Sequence, residues 1–371
     1  GLFLSSGVLK NPSYTMERIC ETLMLLRTKY RFNGYIHVKA IPGAPDELLS
    51  RAGYLADRVS INLELPTAQS LSKLAPNKSF KTILEPMEKI TGTIAANRLA
   101  LGKDARMERS SINRYLTGSI FNQNGTDNGQ AGLSGTQRTA LESGDKLSLP
   151  AVSKDMCVKR PFAPAGQSTQ MIIGATPETD LTLIRTTQHL YKNYDLKRVF
   201  YSAYIPLNED SALPQLDADV PLLREHRLYQ ADWLLRFYGF QADELLSESR
   251  PNFNEQLDTK CDWAIRHLGQ FPVEVQDASY DMLLRIPGIG PKSARRIVET
   301  RRYAKLDFDI LKKIGVVLKR AHYFITCNGR MMYRIPIEES YITSCLTDDN
   351  HKENWEITHQ NEKYQQLSLF E

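Results

Sequence analysis

The spacing of apolar residues divides the chain into two regimes. Through about residue 204, short apolar runs alternate with segments of helical period. Gly1–Leu4 reads as an apolar strand, and Tyr14–Lys29 sets Met16, Ile19, Leu23 and Leu26 on one helical face. Gly34–Ala40 and Arg58–Glu64 read as further strands with a short helix, Asp46–Ala52, between them. Helices follow over Thr67–Leu74, where Thr67 can cap, and over Ser79–Leu101; Met171–Ile173, Thr179–Tyr191 and Arg198–Tyr204 complete the alternation as strand, helix and strand. Strands separated by helices predict parallel βα units. From Pro221 onward only helical spacing remains, over Leu222–Tyr238, Leu257–Leu268 and Ala278–Leu284.

Two strands alternate in an unusual way. Ser60, Asn62 and Glu64 share one face of the third strand, and Tyr35, His37 and Lys39 share one face of the second. A parallel sheet covered by helices on both sides is apolar on both faces. One polar face predicts a barrel with a wet interior, or else an exposed edge strand.

The second regime contains the most specific signal, Leu283-Leu-Arg-Ile-Pro-Gly-Ile-Gly-Pro-Lys-Ser-Ala-Arg-Arg-Ile297. Gly288 and Gly290 allow a tight turn, and a tight turn at a helix start points amide N–H groups outward as an anion site. Lys292, Ser293, Arg295 and Arg296 supply charge and a hydroxyl beside it. Residues 283–320 hold eleven lysines and arginines against three acids, a net +8 in a chain whose total is only +4. Charge concentrated beside such a turn is the footprint of phosphate binding; an ordinary helical hairpin with a solvated basic face is the alternative. A second hairpin is expected around Gly315 in Phe308-Asp-Ile-Leu-Lys-Lys-Ile-Gly-Val316, and the two in tandem would make one helical module.

The remaining composition narrows the class. No apolar run is long enough to span a membrane. Cys20, Cys157, Cys261, Cys327 and Cys345 are scattered, which fits neither a disulfide framework nor a metal knuckle and suggests a reducing, cytoplasmic setting. The opening Gly1-Leu-Phe-Leu-Ser-Ser-Gly-Val8 reads as a strand entered midway, so the chain is expected to be a fragment. The Gly-, Asn-, Gln- and Ser-rich residues 117–158 read as an insertion. The expected domains are 1–215, 216–335 and an acidic tail over 336–371.

The βα half resembles the radical S-adenosylmethionine (SAM) enzymes, and most closely the DNA modification/repair radical SAM family linked with uracil-DNA glycosylase. The resemblance rests on Phe3-Leu-Ser-Ser-Gly-Val8, Gly34-Tyr-Ile-His-Val-Lys-Ala-Ile-Pro-Gly-Ala44, Phe162–Glu178 and Pro221–Trp233, with the Gly hairpin following in the family's order. The hairpin itself resembles that of a helix-hairpin-helix module, which grips nucleic-acid phosphates without reading sequence. The implied fold is α/β: a partial six-stranded radical SAM barrel lacking its first strand, then an all-α helix-hairpin-helix module. The resemblance implies that Ser5, Ser6 and Gly7 meet the methionine amino group of SAM. It places Ser60, Asn62 and Glu64 near the ribose and carboxylate, and Gln167, Gln170 and Gly174 near the adenine. The family's 4Fe–4S cluster needs a Cys-x3-Cys-x-x-Cys run, which is absent here. Its ligands are expected upstream of Gly1, and no cluster ligand or catalytic residue is assigned in this chain. Tyr201, Tyr204, His37 and Lys39 are candidate lumen residues.

The chain ends Gln366-Leu-Ser-Leu-Phe370-Glu371, and Gln366, Leu367, Leu369 and Phe370 resemble the bacterial sliding-clamp-binding peptide. A tail docking on its own barrel is the alternative. The implied function is a radical SAM enzyme acting on DNA, with the clamp and a uracil-DNA-glycosylase-like protein as possible partners. An RNA-modifying enzyme and a non-catalytic DNA-binding adaptor with a degenerate barrel are the rival readings.

Overall fold

The computed structural model describes residues 1–106, 160–207 and 209–347. The expected insertion over 117–158 and the clamp-like peptide lie outside these residues. The chain divides into two compact units, Gly1–Asn252 and Phe253–Glu371.

The first unit is built on one five-stranded parallel sheet: β1 (Leu2–Leu4), β2 (Ile36–Lys39), β3 (Arg58–Ser60), β4 (Gln167–Ile173) and β5 (Arg198–Ala203). The strands lie side by side in chain order. The helices are α1 (Pro12–Thr28), α2 (Asp46–Leu55), α3 (Ala68–Leu74), α4 (Phe80–Ala100), α5 (Asp180–Tyr194), α6 (Leu222–Phe237) and α7 (Ala242–Leu245). Right-handed crossovers between successive neighbours put the connecting helices on one side of the sheet. The sheet curls into a half-barrel. Ile36, Val38, Val59, Met171, Ile173, Val199 and Tyr201 are buried against those helices. Alternation leaves Phe3, His37, Lys39, Arg58, Ser60, Ser168, Gln170 and Arg198 on the other, concave face.

Local chemistry sets the helix starts. Asn11 caps α1 by accepting from the Tyr14 N–H, ahead of Pro12 at the first position; Thr67, the Ser79–Thr82 capping box and Thr179 start α3, α4 and α5. β3 is shorter than the expected Arg58–Glu64, although Glu64 returns to the sheet as an isolated bridge to Met171. β4 starts four residues earlier than expected, because polar Gln167, Ser168 and Thr169 find buried partners.

The free edge of β5 is closed by side chains. The N–H groups of Val199, Tyr201 and Ala203 donate to Tyr191 Oη, Tyr229 Oη and Glu225 Oε2 at 3.0, 3.0 and 2.6 Å. Tyr229 and Glu225 lie on α6, so α6 belongs to the sheet. The first unit therefore runs to Asn252 rather than ending near residue 215.

The second unit comprises α8 (Thr259–Arg266), β6 (Val273–Glu274), α9 (Tyr280–Arg285), α10 (Pro291–Thr300), α11 (Phe308–Ile314), α12 (Leu318–Ala321), β7 (Ile325–Thr326) and α13 (Glu339–Thr347). The parallel pair β6–β7 brings the two ends of the α9–α12 run together. The core consists of Trp263, Leu283, Leu284, Ile286, Ile297, Leu311 and Phe324. Part of the expected acidic tail, 336–371, forms α13, which is anchored by the fully buried Ile342. This single apolar side chain was invisible as a signal among polar neighbours.

Candidate nucleic-acid interface

The Pro-Gly-Ile-Gly turn joins α9 to α10. Gly288 lies at φ +81°, and a Cβ there would stand 2.5 Å from the Val317 carbonyl oxygen, so only glycine fits. Gly290 is different. It caps α10 at φ −97° and ψ 171°, an extended conformation open to any residue. Pro291 occupies the first helical position, and no side chain caps the N–H groups that follow.

A second turn packs against the first. Gly315 closes α11 at φ +99°. The Val317 N–H donates to the Gly288 carbonyl at 2.9 Å. In return Ser293 Oγ donates to the Gly315 carbonyl at 2.9 Å and Arg296 Nη1 to the Ile314 carbonyl at 2.9 Å. The turns share an offset: Gly288 and Gly315 each precede a lysine by four residues (Lys292, Lys319) and an alanine by six (Ala294, Ala321). Matched spacing was the available signal for Lys319, which sequence reasoning did not single out.

The structure sorts the eleven basic residues. Arg285, Arg296 and Arg301 donate to backbone carbonyls; Arg295 pairs with Glu299 at 3.2 Å and Arg320 with Asp258 at 3.0 Å. Lys292, Arg302, Lys305, Lys312, Lys313 and Lys319 are exposed and without an ion pair among the described residues. Ser293 and Arg296, expected to touch nucleic acid, thus hold the C-terminal end of α11 instead. Their side chains satisfy its last carbonyls, which a helix cannot satisfy itself. Lys260 was also missed. It is buried on α8 and donates from Nζ to the Ile289 carbonyl at 2.6 Å, fixing the turn from behind. Burial pushes its pKa down to about 7, against the pull of Asp258.

In the first unit, Ser5, Ser6 and Gly7 follow β1, and Ser6 donates to the Gly7 carbonyl. Ser60 and Asn62 are buried. Asn62 Nδ2 donates to Gln170 Oε1 at 3.3 Å. Glu64, at φ +66°, pairs with Lys78 at 3.0 Å and Lys39 at 3.7 Å. These groups share the carboxyl ends of the strands, where open α/β sheets bind ligands, and their donors and acceptors suit a zwitterion. Gln167 does not join them. Its Nε2 donates to the Met87 carbonyl and Thr91 Oγ1 of α4, on the helix-covered face. Gly174, at φ +86°, closes against Pro221. His37 lies on the concave face, with Nε2 3.5 Å from Ser168 Oγ; burial, then the nearby Arg58, lowers its pKa to about 4. Tyr201 is not a lumen residue, since it is buried on the helix side and bonded to Thr187.

Among the described residues, the cysteines do not group as iron–sulfur ligands. Cys20 donates to the Leu48 carbonyl within the first unit, and Cys261 and Cys327 are buried in the second. Burial raises the thiol pKa of Cys20 to about 11 and of Cys327 to about 12, the reverse of a thiolate ligand. Among the described residues no group of three His, Cys, Asp or Glu could hold a metal, and no helix is long and apolar enough to cross a membrane.

No curated protein and no solved structure matches the chain. Residues 273–300, which span β6, α9, the Gly288 turn and α10, match the helix-hairpin-helix motif. The second unit thus carries a helix-hairpin-helix motif, an element consistent with DNA binding, on a scaffold that adds a second glycine turn to it.

Proposed function

We propose that this protein binds duplex DNA through the backbone phosphates, without reading base sequence, using the two glycine turns of the second unit. The observation that carries this reading is the reciprocal bonding of the Gly288 and Gly315 turns, each four residues ahead of an exposed lysine. Two such turns suit a duplex, which offers two rows of phosphates. The uncapped N–H groups of α10 and the lysine ammonium groups supply donors and charge. The test is anisotropy with labelled duplex DNA, duplex RNA and single strands across a salt series. Preference for duplex DNA with a steep loss in salt supports the reading. A flat salt response, or tighter binding to duplex RNA, overturns it.

The first unit is proposed to be a radical SAM domain acting on that DNA, which its curled parallel sheet and polar concave face support. Ser5–Gly7, Asn62, Glu64 and Gln170 would hold SAM, which when bound with a reduced cluster supplies a carbon-centred radical. Among the described residues the cysteines supply no cluster site. Iron and sulfide analysis with electron paramagnetic resonance, with and without SAM, separates this enzyme from a DNA-binding adaptor.

A further inference from the structure

We propose that the concave face of the sheet carries a phosphate-binding site formed by Arg58 and Arg198, with the Ser168 hydroxyl between them. Ser168 is in register with Arg198 on one side and Ser60 on the other, and Arg58 lies two residues before Ser60 on the same face. Strand spacing and rise put the two arginine Cα atoms roughly 12 Å apart. An oxyanion shared by both would require the Arg198 guanidinium to turn from its stack on Phe200 and Tyr229 toward β4 and Arg58.

Neither arginine is neutralised. The Nε of each is buried without a partner among the described residues. Among the described residues Arg58 donates from Nη2 to the Ala165 carbonyl at 3.3 Å. Arg198 stacks over the rings of Phe200 and Tyr229, with its guanidinium carbon 4.8 and 5.4 Å from the centroids. The nearby acids are committed elsewhere: Asp232, whose charge interacts with Arg198, pairs with Arg236 and accepts from Tyr191 Oη. Asp57 pairs with Arg27 and Arg160 and accepts from the Ile36 N–H, and Glu64 is held by Lys39 and Lys78. Half-buried guanidinium groups without a carboxylate are costly unless an anion completes them, and their forked donors match phosphate. His37 is in register with Arg58 and adds a neutral imidazole beside Ser168. Phe3, packed edge-on to His37 and exposed, supplies apolar surface for a flat ring. The ligand class is therefore a nucleotide phosphate, either free or within a strand.

The test titrates the full chain with adenosine monophosphate and with a 5′-phosphorylated single-stranded oligonucleotide, in a K292A/K319A background that silences the hairpins. R58Q/R198Q is expected to weaken one probe at least tenfold. Loss with the mononucleotide identifies a free ligand; loss with the oligonucleotide alone identifies a strand phosphate. Should R58Q/R198Q fail to fold, R58K/R198K keeps the charge and removes the fork. As a separate readout, the His37 pKa of the unsubstituted chain should rise when the probe binds. Equal affinity in folded variants, or an unmoved His37 titration at saturating probe, overturns the proposal.

Discussion

The Val317 N–H donates to the Gly288 carbonyl at 2.9 Å, while the Val317 carbonyl oxygen lies 2.5 Å from where a Gly288 side chain would begin. One turn is thus seated on the other with no space between them. Gly288→Ala must place a Cβ against that carbonyl and adopt φ +81°. The conformation alone costs about 1–2 kcal/mol, and the clash adds to it. The second unit should melt earlier and DNA affinity should fall with it. Gly290→Ala, at φ −97°, carries no such backbone strain and should lower the melting temperature less, by the cost of a poorer N-cap alone. Differential scanning calorimetry of both variants checks the contrast; equal loss would show that the turns are not interlocked.

The basic residues should divide into two kinds under mutation. Lys292 and Lys319 are exposed and without an ion pair among the described residues, so Lys292→Ala or Lys319→Ala should each lower the slope of log K against log salt by about 0.9 and leave stability unchanged. Ser293 and Arg296 hold carbonyls of the neighbouring turn at 2.9 Å. Ser293→Ala and Arg296→Gln should each cost about 1 kcal/mol of stability, with affinity falling through the fold. Salt-series binding beside urea denaturation of the four variants separates the kinds. An Arg296 variant that binds weakly at full stability would return that residue to the phosphate surface.

Much of this organisation was legible in the sequence because it rests on local chemistry. The five strands, their parallel order and the helix starts at Thr67 and Ser79 follow from period and capping. The Pro-Gly-Ile-Gly turn shows itself through residue types that few other structures require. The misreadings share a physical cause, since each depended on a partner distant in the chain. Charge at Arg296 looks like charge at Lys292 until the Ile314 carbonyl is in place. Gln167 alternates with the covered face, yet its polarity hid that until α4 supplied the Met87 carbonyl. Lys260 gives no local sign that it supports a turn 29 residues away. The boundary near residue 215 failed because α6 is helical in pattern but belongs to β5 through Tyr229 and Glu225.

His37 should make the first unit sensitive to acid. Burial and Arg58 lower its pKa to about 4, whereas in the unfolded chain it takes up a proton near 6.5. Between these values the unfolded state binds more protons, so stability should fall as pH drops from about 6.5 to 4. His37→Phe should flatten that dependence while preserving the edge contact with Phe3. Urea denaturation followed by Trp233 fluorescence, in a chain with Trp263 and Trp355 replaced by Phe, measures the slope. A slope unchanged in His37→Phe would place the acid sensitivity elsewhere.

Lys260 should give the second unit a pH dependence in the alkaline range. The buried ammonium releases its proton near pH 7, while the unfolded chain holds it to about 10.5. From about pH 7 to 8, below the range in which the thiols of Cys261 and Cys327 ionise in the unfolded chain, the unfolded state therefore binds more protons and stability should rise with pH; below about 7 both states are protonated and the term is constant. The neutral amine still donates to the Ile289 carbonyl, so the turn keeps its support as the charge leaves. Lys260→Met removes the titration, and the slope with it, but leaves that carbonyl unsatisfied, which should loosen the Gly288 turn and weaken DNA binding even where the unit remains folded. Trp263, buried in the same unit, reports unfolding by fluorescence once Trp233 and Trp355 are replaced by Phe. Over pH 7 to 8 the expected result is a pH-dependent midpoint in the parent, a flat one in Lys260→Met, and reduced affinity for duplex DNA at pH 8. A flat parent profile would mean that Lys260 keeps its proton throughout, paired more strongly with Asp258 than its burial implies.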